Sequence, residues 1–281
     1  MKFRKRIAAL AVAAVCVLPM AGCSSSGTSN TAMDTDVEAL LQKAETTMAE
    51  VNSMSANMQM DLEIADSEST YKMNITSDMQ IQLDPMMVKA DIVMSVDDSP
   101  MQTYTSYVVQ EGETVDTYAN VMGEWVYQPM DMTAVGQYDA TQNMELYLNN
   151  LTSFSATGTE KINDVDTTVI AGELTGESMA EALKSSGVEE MSAGMGLSAD
   201  DLVTLIDNVE GLPVKLWISE EGYVMGYELD MTSMMESIMN NMAAGEENDM
   251  KINQTVIRMT CKDFNNITPI EVPAEALAVK A

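Results

Sequence analysis

Histidine is absent from this chain of 281 residues, which removes the commonest general base and the commonest transition-metal ligand together. Ser-His and Cys-His nucleophiles are therefore impossible, no glycine-rich phosphate loop is present, and no carboxylate pair stands out among the 44 acids. No catalytic residue, cofactor or metal is expected, and the chain reads as a non-enzyme. Cysteine is nearly as scarce: Cys16 and Cys23 lie in the amino-terminal leader, which leaves Cys261 without a partner for a disulfide. Its strand neighbours Ile257 and Met259 make it a small buried hydrophobe rather than a reactive thiol. Neither Asn163-Asp164-Val165-Asp166 nor Asp97-Asp98 has the spacing and glycine of a calcium loop.

Positive charge is also thin. Four of the 14 basic residues fall within the first six positions, so residues 23–281 carry ten bases against 44 acids, a net charge of −34. Such a surface repels nucleic-acid phosphates and anionic lipid headgroups, and nucleic acid is excluded as a partner. The acids are scattered, as suits the solubility of an exported protein.

What is present begins with an address. Lys2, Arg4, Lys5 and Arg6 form a basic head, Ile7 to Leu18 an apolar run too short to span a bilayer, and Met20-Ala21-Gly22-Cys23 a small-residue exit. Residues 1–22 read as a signal peptide, and the exit resembles the lipobox of bacterial lipoproteins. That resemblance implies that Cys23 is lipidated, palmitate included, and becomes the first mature residue. Residues 23–33 then form a Ser, Thr, Gly and Asn-rich tether with a reach of about 17 Å. The expected location is extracytoplasmic, on the outer face of the cell membrane with an outer membrane as the alternative, and the expected state is a monomer.

From residue 34 the pattern is that of one β-rich domain of α+β class with no internal linker, covering 34–281. Thr35-Asp36-Val37-Glu38 fits a capping box, and Val37, Leu40, Leu41, Ala44, Met48 and Val51 repeat at helical spacing. The period then drops to two, with Met54, Ala56, Met58, Met60, Leu62 and Ile64 alternating with polar residues. Strands follow along Tyr71 to Leu83 and Met86 to Val96, then near 102–110, 114–121, 124–128, 153–161 and 165–174. Turn residues separate them at hairpin spacing, so an antiparallel meander is predicted, apolar on one face and wet on the other. Helices are expected over 139–151, 176–186 and 198–211. A hairpin over Glu220-Glu221-Gly222 places Tyr223, Met225, Tyr227, Leu229 and Met231 on one face. A short helix capped at Ser233 carries Met234, Met235, Ile238, Met239 and Met242; a strand from Lys251 to Phe264 and an extended tail close the chain.

One helix followed by a long antiparallel meander with interrupting helices resembles the LolA-like fold, including the LppX-type lipoproteins. Val214-Lys215-Leu216-Trp217-Ile218-Ser219-Glu220-Glu221-Gly222-Tyr223 looks like the Trp-bearing hairpin of that group. Asp263 to Pro273 looks like its closing strand and tail, and Gly123-Glu124-Trp125-Val126-Tyr127 is a further match. The resemblance implies a half-barrel, a large curved sheet whose concave apolar face is covered by helices and holds acyl chains or another lipid.

Twenty-eight methionines against three phenylalanines give that face a deformable character, since Met is unbranched and polarizable. The lining is expected from Met58, Met60, Met73, Ile75, Met79, Ile92 and Met94 on strands, with Leu205, Ile206, Met235 and Met239 on covering helices. The expected function is a membrane-anchored lipoprotein that binds or carries a lipid or other apolar ligand. A surface interaction or sensor module with a filled core is the alternative. Cu(I) binding through thioethers such as Met58 with Met60, or Met130 with Met132, is a remote third reading.

Overall fold

The computed structural model describes residues 35–67, 69–97, 99–112, 114–131, 154–175, 211–242 and 250–280. The expected signal peptide, Cys23, the tether and the helices near 139–151, 176–186 and 198–211 lie outside these residues, and Leu205 and Ile206 with them. Helix α1, Thr35–Met48, opens the fold. Strands β1 (Ser53–Ala65), β2 (Thr70–Leu83), β3 (Met86–Val96), β4 (Ser99–Glu111), β5 (Thr114–Val121) and β6 (Glu124–Asp131) follow as a meander. Strands β7 (Ser155–Ile162), β8 (Val165–Leu174), β9 (Leu212–Ser219) and β10 (Val224–Asp230) lead to helix α2, Thr232–Met242. Strand β11, Lys251–Lys262, then runs back into the middle of the sheet.

All eleven strands form one antiparallel sheet in the order β6-β5-β4-β3-β2-β1-β11-β10-β9-β8-β7, open at β6 and β7. The first strand therefore pairs with the last, Met58 opposite Met259 and Ala56 opposite Cys261. Two-residue turns make the hairpins tight: Asn163-Asp164 and Met122-Gly123 both take positive φ at both positions, the twist that suits antiparallel strands.

Helix α1 buries Val37, Leu41, Ala44 and Met48 against the apolar face of the sheet, where they join Met54, Met58, Met60, Ile75, Met79, Ile92, Leu216, Ile218 and Met259 in one cluster. Period 3.6 on the helix meets period 2 on the strands, and each buried side chain of this size contributes about 1.5–3 kcal/mol. The β9–β10 turn holds the helix in place. Lys43 Nζ donates to the Glu220 carbonyl at 2.6 Å and Thr47 Oγ1 to the Glu221 carbonyl at 3.0 Å. Gly222 sits there with φ +96, and a Cβ on it would lie 2.6 Å from Thr47 Oγ1, so the contact requires glycine.

Four expectations need correction. The face opposite α1 is not wet throughout, because it carries two apolar clusters of its own. Val169, Trp217 and Met225 pack there with Ile162, Val165 and Phe264. Further along, Tyr107 and Tyr118 pack with Trp125, Tyr127, Ile267, Ile270, Val272 and Ala276. Met225 belongs to the first of these clusters, not with Tyr227 and Leu229, because a bulge between Val224 and Gly226 reverses the alternation. The second helix begins one residue before the expected cap, with the Thr232 amide donating to Asp230 Oδ1 at 3.0 Å. The tail is not extended to its end: it closes in a helical turn, α3 (Ala274–Leu277), and a 3-10 turn, Ala278–Lys280.

That tail is latched at both ends. Asn265 Oδ1 accepts the Asn52 amide at 2.6 Å, and its own amide donates to the Ser53 carbonyl at 2.7 Å. At the far end Lys280 Nζ pairs with Asp116, a carboxylate 2% exposed, and with Glu111 at 2.8 Å. Burial works to raise the Asp116 carboxyl, but hydrogen bonds from Lys280, Tyr127 and Tyr118 outweigh it and hold it below the usual range. A carboxylate lowered in this way contributes stability above its unfolded value of about 3.9, and loses it as pH falls through its folded value. Lys280→Ala is thus expected to lower Tm at pH 7, with the difference from the parent shrinking at pH 3. An equal difference at both values, read by paired thermal melts, would show that the ion pair is not the latch.

Candidate ligand-binding face

The alternation of β1, β2 and β3 sends every second residue to the side covered by α1, and the registers align them in rows. Met58 stands between Met259 on β11 and Ser77 on β2, with Ile92 next on β3. The neighbouring row runs Ile257, Met60, Ile75, Met94, and the one beyond it Cys261, Ala56, Met79, Ala90. Met58, Met60, Ile75, Met79, Ile92 and Met94 are all buried within a single cluster. Met73 is half-buried and joins this cluster to a second one at the end of the sheet, where Leu62, Ile64 and Ile252 pack with Met235, Met239 and Met250. Met235 also touches both clusters. The structure therefore brings nine of the eleven expected lining residues onto one face.

Burial on this face is uneven toward the β6 edge, where Val115 is fully buried. Tyr104, Val108, Ala119 and Val121 are half-buried, and Val126 is 54% exposed. These share the side of Met58 through the pairs Ile92–Tyr104, Tyr104–Val121 and Ala119–Val126.

Two hydroxyls interrupt the face. Ser77 Oγ and Thr255 Oγ1 are fully buried without a hydrogen-bond partner. Ser77 falls in phase between Ile75 and Met79, so the alternation alone marks it as a buried serine; nothing in the sequence marks its hydroxyl as unpaired. An unsatisfied buried polar group costs about 1–3 kcal/mol. Ser77→Ala is accordingly expected to raise stability by about 1 kcal/mol, seen as a higher urea midpoint at unchanged slope. A lower midpoint would mean that the hydroxyl has a partner in solution.

Polar grooves lie on the opposite face. One of about 310 Å³ is lined by Ser55, Asn57, Asp78, Gln80, Lys89, Asp91, Lys262 and Asn163, among others. Its groups satisfy one another: Asn57 donates to Asp78 at 2.9 Å, Thr105 to Asp91 at 2.7 Å, and Lys89 pairs with Asp91 at 2.9 Å. A second, of about 570 Å³, is lined by Gln59, Asp61, Glu63, Lys72 and Asn74 among others, with Asp61 accepting from Asn74 and Gln59. Neither has the chemistry to shelter an acyl chain. Beside them, Trp217 Nε1 donates to Glu160 at 2.8 Å under the Arg258 guanidinium, whose carboxylate partner Glu228 also binds Lys215 at 2.7 Å. Sequence reasoning did not find this network, because its members come from four separate strands.

Among the described residues no cluster of three or more His, Cys, Asp or Glu has metal-binding geometry. Met58 and Met60 are 1% and 8% exposed, packed among apolar neighbours. Cys261 is wholly buried, and loss of solvation pushes its thiol up to about 12, so it is inert as a nucleophile at neutral pH.

An open, wholly antiparallel eleven-stranded sheet with its amino-terminal helix on the apolar side has the half-barrel fold of the lipoprotein LppX. The lipoprotein LppX of Mycobacterium tuberculosis superposes with a TM-score of 0.50 at 14% identity, over 85% of this chain and 100% of that one. LprF from Mycobacterium bovis gives 0.49 at 12% identity over 86% and 98%. A lipoprotein-sorting protein domain from Vibrio parahaemolyticus gives 0.26 at 10% identity over 86% and 96%. The chain itself belongs to DUF6612, a family of unknown function whose model matches residues 36–281. No protein of curated function matches it.

Proposed function

We propose that this protein is a membrane-tethered, non-enzymatic lipoprotein that binds an apolar ligand, acyl chains by chemistry, against the methionine-rich face of its half-barrel. The observation that carries this reading is the continuity of that face. It runs from the buried rows at Met58, Ile75 and Ile92 to the half-buried Tyr104 and Val121 and the exposed Val126. A ligand entering from the β6 side meets flexible thioethers that adjust to its shape. LppX, with which this chain shares its fold, is a lipoprotein, in agreement with the lipobox around Cys23. Of the described residues, no helix is long and apolar enough to cross a membrane, and the acyl groups on Cys23 would supply the attachment.

A second reading is favoured by the near-complete burial of Met58, Ile75 and Ile92 among the protein's own side chains. A core already filled by its own side chains suits an interaction or sensor module. Residues 24–281, purified without detergent and extracted for lipid mass spectrometry, distinguish the two. Co-purified lipid and uptake of a fluorescent fatty acid are expected; the absence of both selects the filled-core module.

Attachment has its own test. Cys23→Ser should move the protein from the membrane fraction to the soluble fraction, and a variant that still sediments with membranes would rule the lipid anchor out.

A further inference from the structure

Six large hydrophobic side chains are exposed among the described residues, and half of them gather at one end of the sheet. Met122 is 85% exposed at the β5–β6 turn, Met101 66% at the start of β4, and Tyr71 44% at the start of β2. The registers place them side by side. Tyr104 pairs with Val121, which sets Met122 beside the start of β4, and a bulge between Met94 and Ser95 pushes Met101 out of the ladder. From the β5–β6 turn to Tyr71 is three strand spacings, about 14 Å. Beyond Tyr71 the same end continues into Ile64, Ile252, Met73 and Met250, packed under Met235 and Met239 of α2. An apolar rim thus runs from the exposed turn to the second helix. The turns at the other end, Asp84-Pro85, Gly112 and Glu220 to Gly222, present no large hydrophobic side chain.

We infer that this rim is a docking surface for a neutral lipid bilayer, with Met101, Met122 and Tyr71 inserting at the headgroup–acyl boundary. The inference rests on the tethered-lipoprotein reading. Unbranched thioethers on projecting turns enter an interface at little conformational cost, and the tyrosine ring suits the same depth. Charge selects this occupant over a second copy of the chain: Asp66, Asp97 and Glu124 flank the rim and the mature net charge is −34, so two rims would meet with like charges opposed. Anionic headgroups are disfavoured on the same ground. Reach permits the contact. Eleven residues lie between Cys23 and Thr35, and the twelve steps extend to about 40 Å, close to the length of a 13-residue strand such as β1, about 43 Å. The tether then makes a weak apolar contact effective by holding it at high local concentration.

The test uses the full lipidated chain in phosphatidylcholine vesicles. A single cysteine is placed at Met122 or Met101, or at Glu220 on the opposite end, and labelled with an environment-sensitive fluorophore; Cys261 is buried and Cys23 acylated, so neither competes. Emission at positions 122 and 101 is expected to rise severalfold and to be quenched by brominated phosphatidylcholine, while position 220 stays unchanged. No rise at the rim, an equal rise at 220, or a rise that follows protein concentration without lipid overturns the proposal. The double variant Met101→Glu/Met122→Glu should take up free fatty acid normally yet acquire lipid from vesicles about tenfold more slowly. Normal acquisition from vesicles would also refute docking. Loss of co-purifying lipid in the parent protein with rim insertion intact would instead remove the carrier reading and leave docking standing.

Discussion

The pairing of β1 with β11 is the joint on which both wings of the sheet hang. Strands β2 to β6 extend from one side of it and β10 to β7 from the other, so the position of every outer strand derives from its register. With a side-chain period of two, a slip of β11 by one residue against β1 would turn Ile257, Met259 and Cys261 away from the side of Met58 and Met60 and bring Arg258 and Thr260 onto it. Several contacts defend the register. Asn265 ties the end of β11 to Asn52 and Ser53 at the start of β1, and Asn253 reaches across to Glu63 at 3.0 Å. On the apolar side, α1 lies over both strands and bonds to the β9–β10 turn.

The two faces divide the chemistry. The helix-covered side is built mainly from Met, Ile, Leu and Val, interrupted by Ser77 and Thr255 and, on β4 and β5, by Gln102, Ser106 and Thr117, whereas the other carries carboxylates, amides and lysines that hydrogen-bond among themselves. Where apolar residues do occur on the polar side, chain segments cover them: the tail shields Tyr107 and Tyr118, and the tip of the β7–β8 hairpin shields Trp217. The contrast between these covered clusters and the uncovered rim at Met101 and Met122 separates packing from binding. A protein that shields its aromatic patches this thoroughly has not left three apolar tips bare for want of covering chain.

Much of this was legible in the sequence because strand and helix periods are strong local signals. The alternation from Met54 to Ile64 and the helical repeat from Val37 to Val51 predicted both elements and their buried sides. The β5–β6 turn was marked by Gly123, a residue type that takes positive φ freely. What failed was non-local. A bulge at Met225 reverses a face without changing composition, and the fold of the tail onto β4–β6 depends on where the outer strands have already placed Tyr118 and Trp125. The buried Asp116 looked like one acid among 44, because its partner Lys280 lies 164 residues away. For the ligand face, the strand positions of the expected lining were readable from phase alone, whereas the two unpaired hydroxyls required knowledge of their surroundings.

The order of the sheet also bears on how such a chain is made. A polypeptide is made amino terminus first, and β1 to β6 can pair as they appear. Their inner edge, thirteen residues of β1 with half its backbone unbonded, stays open until β11 arrives nearly two hundred residues later. Throughout that interval the molecule presents a long, sticky template to its neighbours, the geometry from which aggregates grow. The dense negative charge then has a second use. It keeps half-built copies apart during the one stage of their life when their backbones would bind each other.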